Sequence, residues 1–105
     1  MERTRAEQLA RAGRNAAAHQ LFEQLVHQDP TDTDSRMWMA RLDLRLGRVD
    51  AAERGFRSVL REHPSDVDAA IGLAGALLRQ GNSAEALTIL VGVEPAAGDN
   101  DSTTT

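Results

Sequence analysis

The sequence lacks cysteine, lysine and tyrosine, and these absences narrow what the chain can be. Without cysteine, a disulfide framework, a thiolate zinc site or a cysteine nucleophile cannot form. Aromatic residues are limited to Phe22, Trp38 and Phe56, too few for a sandwich or barrel of aromatic and β-branched strands. We therefore expect one all-helical domain in the 105 residues.

Long apolar runs are missing as well. The charged N-terminus is not followed by the apolar core of a secretory signal. Nowhere does the sequence approach the roughly 18 consecutive apolar residues of a membrane span. We therefore predict a cytoplasmic protein that makes no contact with a membrane.

A basic excess is also absent. The formal net charge is -4, and three of the acidic residues lie within 94–105, so the preceding part is nearly neutral. Each phosphate contact of a nucleic-acid binder draws on Lys or Arg, which normally produces a basic excess. The charge balance therefore predicts no nucleic-acid partner.

Catalytic patterns are scarce. The sequence contains no P-loop, HExxH, GxSxG or GxGxxG motif. His19, Glu23 and His27 follow one another at four-residue steps, a spacing that can bring three ligands to one metal ion, but a solvated helix face explains them equally well. We therefore predict that the protein is not an enzyme and has no cofactor or metal. An enzymatic function ranks a distant third, after the two protein-binding functions described below.

A repeat of 34 residues is the main positive feature of the sequence. Five columns recur at this interval: Gly13, Gly47 and Gly81; Ala18, Ala52 and Ala86; Phe22, Phe56 and Leu90; Leu25, Val59 and Val93; Pro30 and Pro64. Each glycine separates two segments rich in alanine and leucine. The pattern predicts three helical hairpins.

The residue types in these columns have a physical meaning. Glycine after an apolar helix takes the left-handed conformation that ends it, and proline disfavours helix in the residue before it. Oxygens of residues 31–34, and those of Ser65 and Asp66, can cap the helix that follows each of them. Ser65 with Asp68, and Asp50 with Glu53, approximate capping boxes. Small alanines let paired helices approach closely, and the bulky column fills the space beyond them.

The period and the columns resemble the tetratricopeptide repeat, whose pattern is W-x2-L-G-x2-Y, then A-x3-F, then P. The second repeat carries Leu46, Gly47, Ala52, Phe56 and Pro64 at the matching places. The resemblance implies an all-α solenoid of three stacked antiparallel hairpins that form a right-handed superhelix. It implies one domain over residues 1–95, with repeats at about 1–32, 33–66 and 67–95, and we expect residues 96–105 to be a disordered acidic tail rich in Ser and Thr.

The second repeat departs from the family pattern at two places. Arg36 and Asp43 stand where the family prefers Trp and Tyr, while the large apolar residues Trp38 and Leu42 lie nearby. We therefore expect the first helix of this repeat to be rotated or shifted.

The resemblance also implies a concave surface, lined by the first helix of each repeat, that binds a peptide or helix of another protein. Transferred place by place, the groove-facing residues are Arg3, Glu7, Arg11, Asp34, Met37, Trp38, Arg41, Leu44, Arg45, Asp68, Ile71, Gly75, Leu78 and Arg79. Such a wall mixes an apolar centre with arginines, which suits an apolar segment bearing carboxylates. Trp38 fits either the core or the groove.

The last helix is apolar on nearly every side. Terminal repeats of an array normally show a polar outer face, whereas Leu87, Ile89 and Val91 are apolar. Our hypothesis is that another chain covers them, most simply a second copy in a homodimer, with a partner protein as the other occupant. The second function class is therefore a structural or assembly module that self-associates or docks through the helix at Leu87–Val93. The alternatives are that the tail folds back over these residues or that the chain was cut from a longer array.

Overall fold

The computed structural model describes residues 2–92, and in this part of the chain every regular element is a helix. The six helices are α1 (Glu2–Arg11), α2 (Asn15–Gln28), α3 (Thr33–Arg45), α4 (Val49–Glu62), α5 (Val67–Arg79) and α6 (Ser83–Gly92). Each helix packs against the helices before and after it, and α3 also contacts α5. The predicted all-α helical repeat solenoid is confirmed. The predicted tail at 96–105 lies outside the described residues.

The three periodic glycines make the turns inside the hairpins. Gly13, Gly47 and Gly81 have φ values of 81°, 82° and 81°. After each glycine, the next residue donates its backbone N–H to the carbonyl five residues earlier, at 2.7 to 2.9 Å. An added Cβ would meet no atom within 4 Å at these positions. The left-handed backbone, rather than lack of space, therefore requires glycine.

Aspartates begin the first helix of the second and third repeats. Asp32 accepts a hydrogen bond from the backbone N–H of Ser35 at 3.2 Å, and Asp66 accepts one from Ala69 at 3.0 Å. Each carboxylate satisfies a donor that the helix cannot satisfy itself. Oxygens of the loops after Pro30 and Pro64 thus cap the next helix, as predicted.

Both predicted capping boxes are wrong in detail. The N-cap of α5 is Asp66, so the carboxylate next to Ser65 takes the role expected for that hydroxyl. The N-cap of α4 is Arg48, without a side-chain cap. Because α4 already begins at Val49, Asp50 lies inside the helix rather than at its cap.

The core consists of two clusters of buried apolar residues. The smaller cluster joins the first repeat to α3 and contains Ala6, Ala10, Ala18, Phe22 and Leu42. The larger one joins α3, α4, α5 and α6 and contains Met37, Ala40, Ala52, Phe56, Val59, Ala69, Leu73, Ala74, Leu77 and Ala86. Leu90 is 40% exposed, whereas Phe22 and Phe56 in the same column of the repeat are buried. Leu90 lies on α6, and no further helix follows α6 within the described residues. Val93, predicted for the next column, lies outside the described residues.

The two departures from the repeat pattern both lie beside polar partners. Arg36 donates to Glu62 at 2.8 Å and to Ser58 at 2.5 Å. Asp43 is buried, and its Oδ1 lies 2.9 Å from Nε2 of His19. This distance allows an ion pair if the imidazole is protonated, but the two atoms are not aligned for a hydrogen bond.

The expected shift of α3 along the chain does not occur. Thr33 begins α3 and Val67 begins α5, thirty-four residues apart. Arg36 and Asp43 therefore lie in a helix that begins where the repeat period predicts.

Candidate protein-binding groove

Two neighbouring cavities lie along the first helices of the repeats. The first, here called the acidic pocket, has a volume of about 180 Å³ and lies near the N-terminal ends of α3 and α5. It is lined by Glu7, Thr33, Asp34, Met37, Trp38, Arg41, Asp66 and Asp68. Four carboxylates surround an apolar floor in this pocket.

The second cavity, here called the glycine cleft, has a volume of about 400 Å³ and lies between α3 and α5. It is lined by Arg41, Leu44, Arg45, Phe56, Asp68, Ile71, Gly72, Gly75 and Arg79. Arg41 and Asp68 line both cavities, so the acidic pocket and the glycine cleft form one continuous surface. This surface is called the groove below.

Trp38 lies at the boundary between core and groove. Its ring stacks on the buried ring of Phe22, with the centroids 5.6 Å apart and the planes 7° from parallel. The guanidinium of Arg41 lies 5.5 Å from the Trp38 centroid, within cation–π range. Trp38 is therefore partly buried by the first repeat and also forms a wall of the acidic pocket.

Two glycines on α5 shape the glycine cleft. A Cβ on Gly72 would lie 2.3 Å from the Phe56 ring, so α5 can approach α4 this closely only without a side chain there. A Cβ on Gly75 would meet nothing within 4 Å, since this glycine faces open space. Beside them on α5, Ile71 is 56% exposed. The cleft is an open apolar surface with the Phe56 ring beneath it.

Two of the predicted groove arginines also hold neighbouring repeats together. Arg45 donates to the backbone carbonyl of Ala10 at 3.0 Å, and Arg79 donates to that of Leu44 at 2.7 Å. Each arginine is thus a second donor to a carbonyl near the C-terminal end of the preceding repeat's first helix, which also accepts the backbone N–H of Gly13 or Gly47 at 3.1 Å. A cation is favoured at this end by the helix dipole. Arg45 Nη1 also donates to Asn15 Oδ1 at 3.4 Å, and neither arginine forms an ion pair with any residue from 2 to 92.

Arg3 is held by acidic residues of the second repeat. Its guanidinium donates to Asp32 at 2.7 Å and to Asp34 at 3.4 Å. Burial alone would raise the pKa of Asp32, but hydrogen bonds from Ser35 and Arg3 stabilise the carboxylate and keep its pKa below the usual value. Arg3 therefore connects the first two repeats rather than lining either cavity.

The remaining predicted groove residues divide into those inside and those outside the cavities. Met37 is only 5% exposed and belongs to the core, although it lines the floor of the acidic pocket. Arg11 pairs with Glu7 at 3.7 Å and lies outside both cavities, as does Leu78.

Sequence reasoning missed four lining residues: Thr33, Phe56, Asp66 and Gly72. A signal for Gly72 was present in the repeat, because it stands thirty-four residues after Trp38 and so takes the same place on α5. Phe56 gave no such signal, since it belongs to the buried column and reaches the cleft only through the gap that Gly72 leaves.

The residues considered for a metal are not brought together. His19 contacts Asp43, whereas Glu23 and His27 are exposed. Within residues 2–92, His, Asp and Glu side chains form no group of three or more that could hold a metal ion.

The last helix presents apolar side chains to solvent. Leu87 is 63% exposed, Val91 is 60% exposed and Leu90 is 40% exposed. Ile89 instead packs against the larger core cluster. We call Leu87, Leu90 and Val91 the α6 face. None of the helices between residues 2 and 92 has the length and apolar character needed to span a bilayer.

Two family models, both described as tetratricopeptide repeat, match residues 39–101 and 9–57. Among solved structures, the chain is similar to the crystal structure of a thermophilic TPR protein of Thermus thermophilus, with 29% sequence identity and a TM-score of 0.80. That alignment covers 89% of this chain and 54% of the other, so the chain spans about half the length of that relative. No curated protein matches the sequence.

Proposed function

The chain belongs to the tetratricopeptide repeat family, and from that premise we propose that its groove binds a peptide or helix of another protein. Repeats of this family generally mediate protein–protein interaction, and the family is typically not enzymatic. The proposal assigns that general role to one surface of this chain.

The observation that supports the proposal most is the open glycine cleft. Ile71 is more than half exposed in a concave surface whose rim carries Arg41, Asp68 and Arg79. An apolar depression with charged residues at its edge is typical of a docking site for a partner's side chains. Arginine and tryptophan are also the residue types that often contribute most to binding at interfaces.

Filling the cleft tests this function. Gly75 is helical, and a Cβ there would meet no atom within 4 Å, so Gly75→Leu adds an apolar side chain that starts in open space and favours the helix. We expect Gly75→Leu to stay folded but to lose the partners that the wild-type chain captures, as measured by affinity capture and quantitative mass spectrometry.

The matched control is Gln24→Leu, which adds the same side chain to the exposed side of α2. Partners captured by the wild type and by Gln24→Leu, but not by Gly75→Leu, are groove ligands. Equal capture by all three proteins would contradict the groove function.

A second candidate function is self-association through the α6 face. The observation that favours it is the exposure of Leu87 and Val91, one helical turn apart, on a terminal helix whose charged residue Glu85 is paired with Arg57. A second copy of the chain offers an equally apolar surface, as an isologous dimer requires. The assembly would leave the groove free for a different partner.

Light scattering from micromolar to submillimolar concentrations tests this candidate. We expect a dimer for the wild type, a monomer for Leu87→Asp, and a dimer for the control Gln24→Asp. The dimer should persist in Gly75→Leu, which separates the two candidate surfaces. A wild-type chain that is monomeric throughout would exclude the homodimer.

A further inference from the structure

The charges of the groove are sorted along the helix axes. Asp34 and Asp68 are the second residues of α3 and α5, and Arg45 and Arg79 are the last residues of the same helices. The two charges on each helix are eleven positions apart, which corresponds to about 16 Å at 1.5 Å per residue. The groove therefore has an acidic end and a basic end.

The acidic end keeps charge that a ligand can use. The side chain of Asp34 is 78% exposed despite its 3.4 Å contact with Arg3. Asp68 is exposed and forms no ion pair with any residue from 2 to 92. This end can therefore accept cationic side chains.

The basic end also keeps usable charge. The bond from Arg79 to Leu44 uses one Nη atom and a neutral carbonyl, so the positive charge is not compensated. The basic end can therefore bind carboxylates. Arg41 lies between the two ends and lines both cavities. It contacts the Trp38 ring and forms no ion pair with any residue from 2 to 92.

The apolar part of the groove lies between these ends. Leu44 on α3 and Ile71 on α5 flank the gap above Gly75. An extended peptide would need main-chain hydrogen bonds from its receptor, but the backbone groups in the middle of α3 and α5 are already bonded within their own helices. A helix needs none, and it buries an apolar stripe in such a channel.

We propose that the groove's ligand is an amphipathic helix of at least three turns that lies antiparallel to α3 and α5, with acidic residues in its first turn and basic residues in its last. This proposal rests on the groove function proposed above and specifies its ligand. In this orientation the ligand's first turn meets Arg79 and its last turn meets Asp34 and Asp68. The same charge order stabilises the ligand's own helix dipole.

Three fluorescent synthetic peptides test the proposal by anisotropy. All are 14-residue stapled helices with one apolar stripe. The first peptide has acidic residues in its first turn and basic residues in its last turn. The second has acidic residues at both ends, and the third has basic residues at both ends. We expect the first peptide to bind about fivefold more tightly than either of the others at low salt, and the preference to shrink as salt is added.

Reversing one charge should redirect the preference. Asp68→Lys should bind the doubly acidic peptide better than the peptide with both charges. The control Asp50→Lys makes the same change at the second residue of α4, outside the groove, and should keep the original preference. A photo-crosslinker on the acidic first turn of the first peptide should label α5 near Arg79.

The outcomes separate this proposal from the groove function. Equal affinity for the three peptides, or crosslinking near Asp68, would overturn the proposed ligand and its orientation. If that binding were still lost in Gly75→Leu, the groove function itself would remain supported. Failure of every peptide to bind would count against both.

Discussion

Two junctions join the three repeats, one between the first and second repeats and one between the second and third. Equivalent positions of the repeat meet at both junctions, but they carry different side chains. At the first junction, Phe22 of α2 stacks on Trp38 of α3. Thirty-four residues later, Phe56 of α4 faces Gly72 of α5, whose missing side chain leaves room for the ring. A large residue on the first helix of a repeat thus makes a wall, and glycine at the same place makes a cleft.

The polar contacts across the two junctions differ in the same way. Arg3 connects the first junction through Asp32. At the second junction, Gln80 donates a hydrogen bond to Glu53. This bond is the largest cause of the lowered pKa of Glu53, and a hydrogen bond from Arg57 is the next largest. The shared repeat therefore positions the helices, while the contacts that hold them are particular to each junction.

The largest expected effect comes from removing the two phenylalanines. Phe22→Ala and Phe56→Ala should each lower the free energy of unfolding by about 3–5 kcal/mol, because both rings are almost fully buried. Urea denaturation measures the losses. A double-mutant cycle should give a coupling of about 1 kcal/mol between Phe22 and Trp38, as expected for a stacked pair. A coupling near zero would mean that the stack adds nothing beyond burial.

Alanine at the two glycines of the cleft should have opposite effects. Gly72→Ala should cost about 1–3 kcal/mol because its methyl group would overlap the Phe56 ring. Gly75→Ala, one turn away in the same helix, should instead stabilise the fold by about 0.5–1 kcal/mol. Thermal unfolding of both variants tests the difference. A Gly72→Ala variant as stable as Gly75→Ala would show that the second junction is not tightly packed.

The arginine bridges common to both junctions offer a comparison with an internal control. Arg45→Ala and Arg79→Ala should each cost about 1 kcal/mol, since each removes a charged donor from a carbonyl of the preceding repeat. Arg11 occupies the same column in the first repeat and makes only a long contact with Glu7. Arg11→Ala should therefore leave the urea midpoint almost unchanged, and equal losses for all three variants would refute the bridging role.

The smallest expected effect is the acid dependence of the first junction. Because the folded-state pKa of Asp32 is lowered, its contribution to stability is present above about pH 4 and is lost as the pH falls through the folded value. Asp32→Asn keeps a capping oxygen, so the wild type should be more stable by about 0.5 kcal/mol at pH 7, with a smaller difference at pH 2.5. Urea midpoints at both pH values test this. Asp34→Asn, at an exposed neighbour, should show a smaller difference at pH 7.

Much of the fold was predictable because its signals are local. A glycine that ends a helix needs only its own backbone freedom, and Gly13, Gly47 and Gly81 make the turns that their spacing predicts. The capping boxes were not predicted correctly, because the pattern leaves the first residue of each helix uncertain by one or two positions. That uncertainty is enough to exchange Ser65 for Asp66 as the cap of α5.

The candidate site was less predictable than the fold. The family resemblance predicted that Arg45 and Arg79 line a groove, but it gave no sign that both donate to carbonyls thirty-five residues away. The spacing also left Trp38 undecided between core and groove, and the structure places it in contact with both Phe22 and Arg41.

By itself, the sequence determined that this protein is a series of helical hairpins, since turns, caps and apolar periodicity act between residues close together in the chain. Only the tertiary structure decided where the groove opens and which charges remain available in it. Those properties depend on how closely α5 approaches the Phe56 ring and on which partners lie within reach of each arginine. Such distances arise when helices far apart in sequence pack together, and no local pattern of residues encodes them.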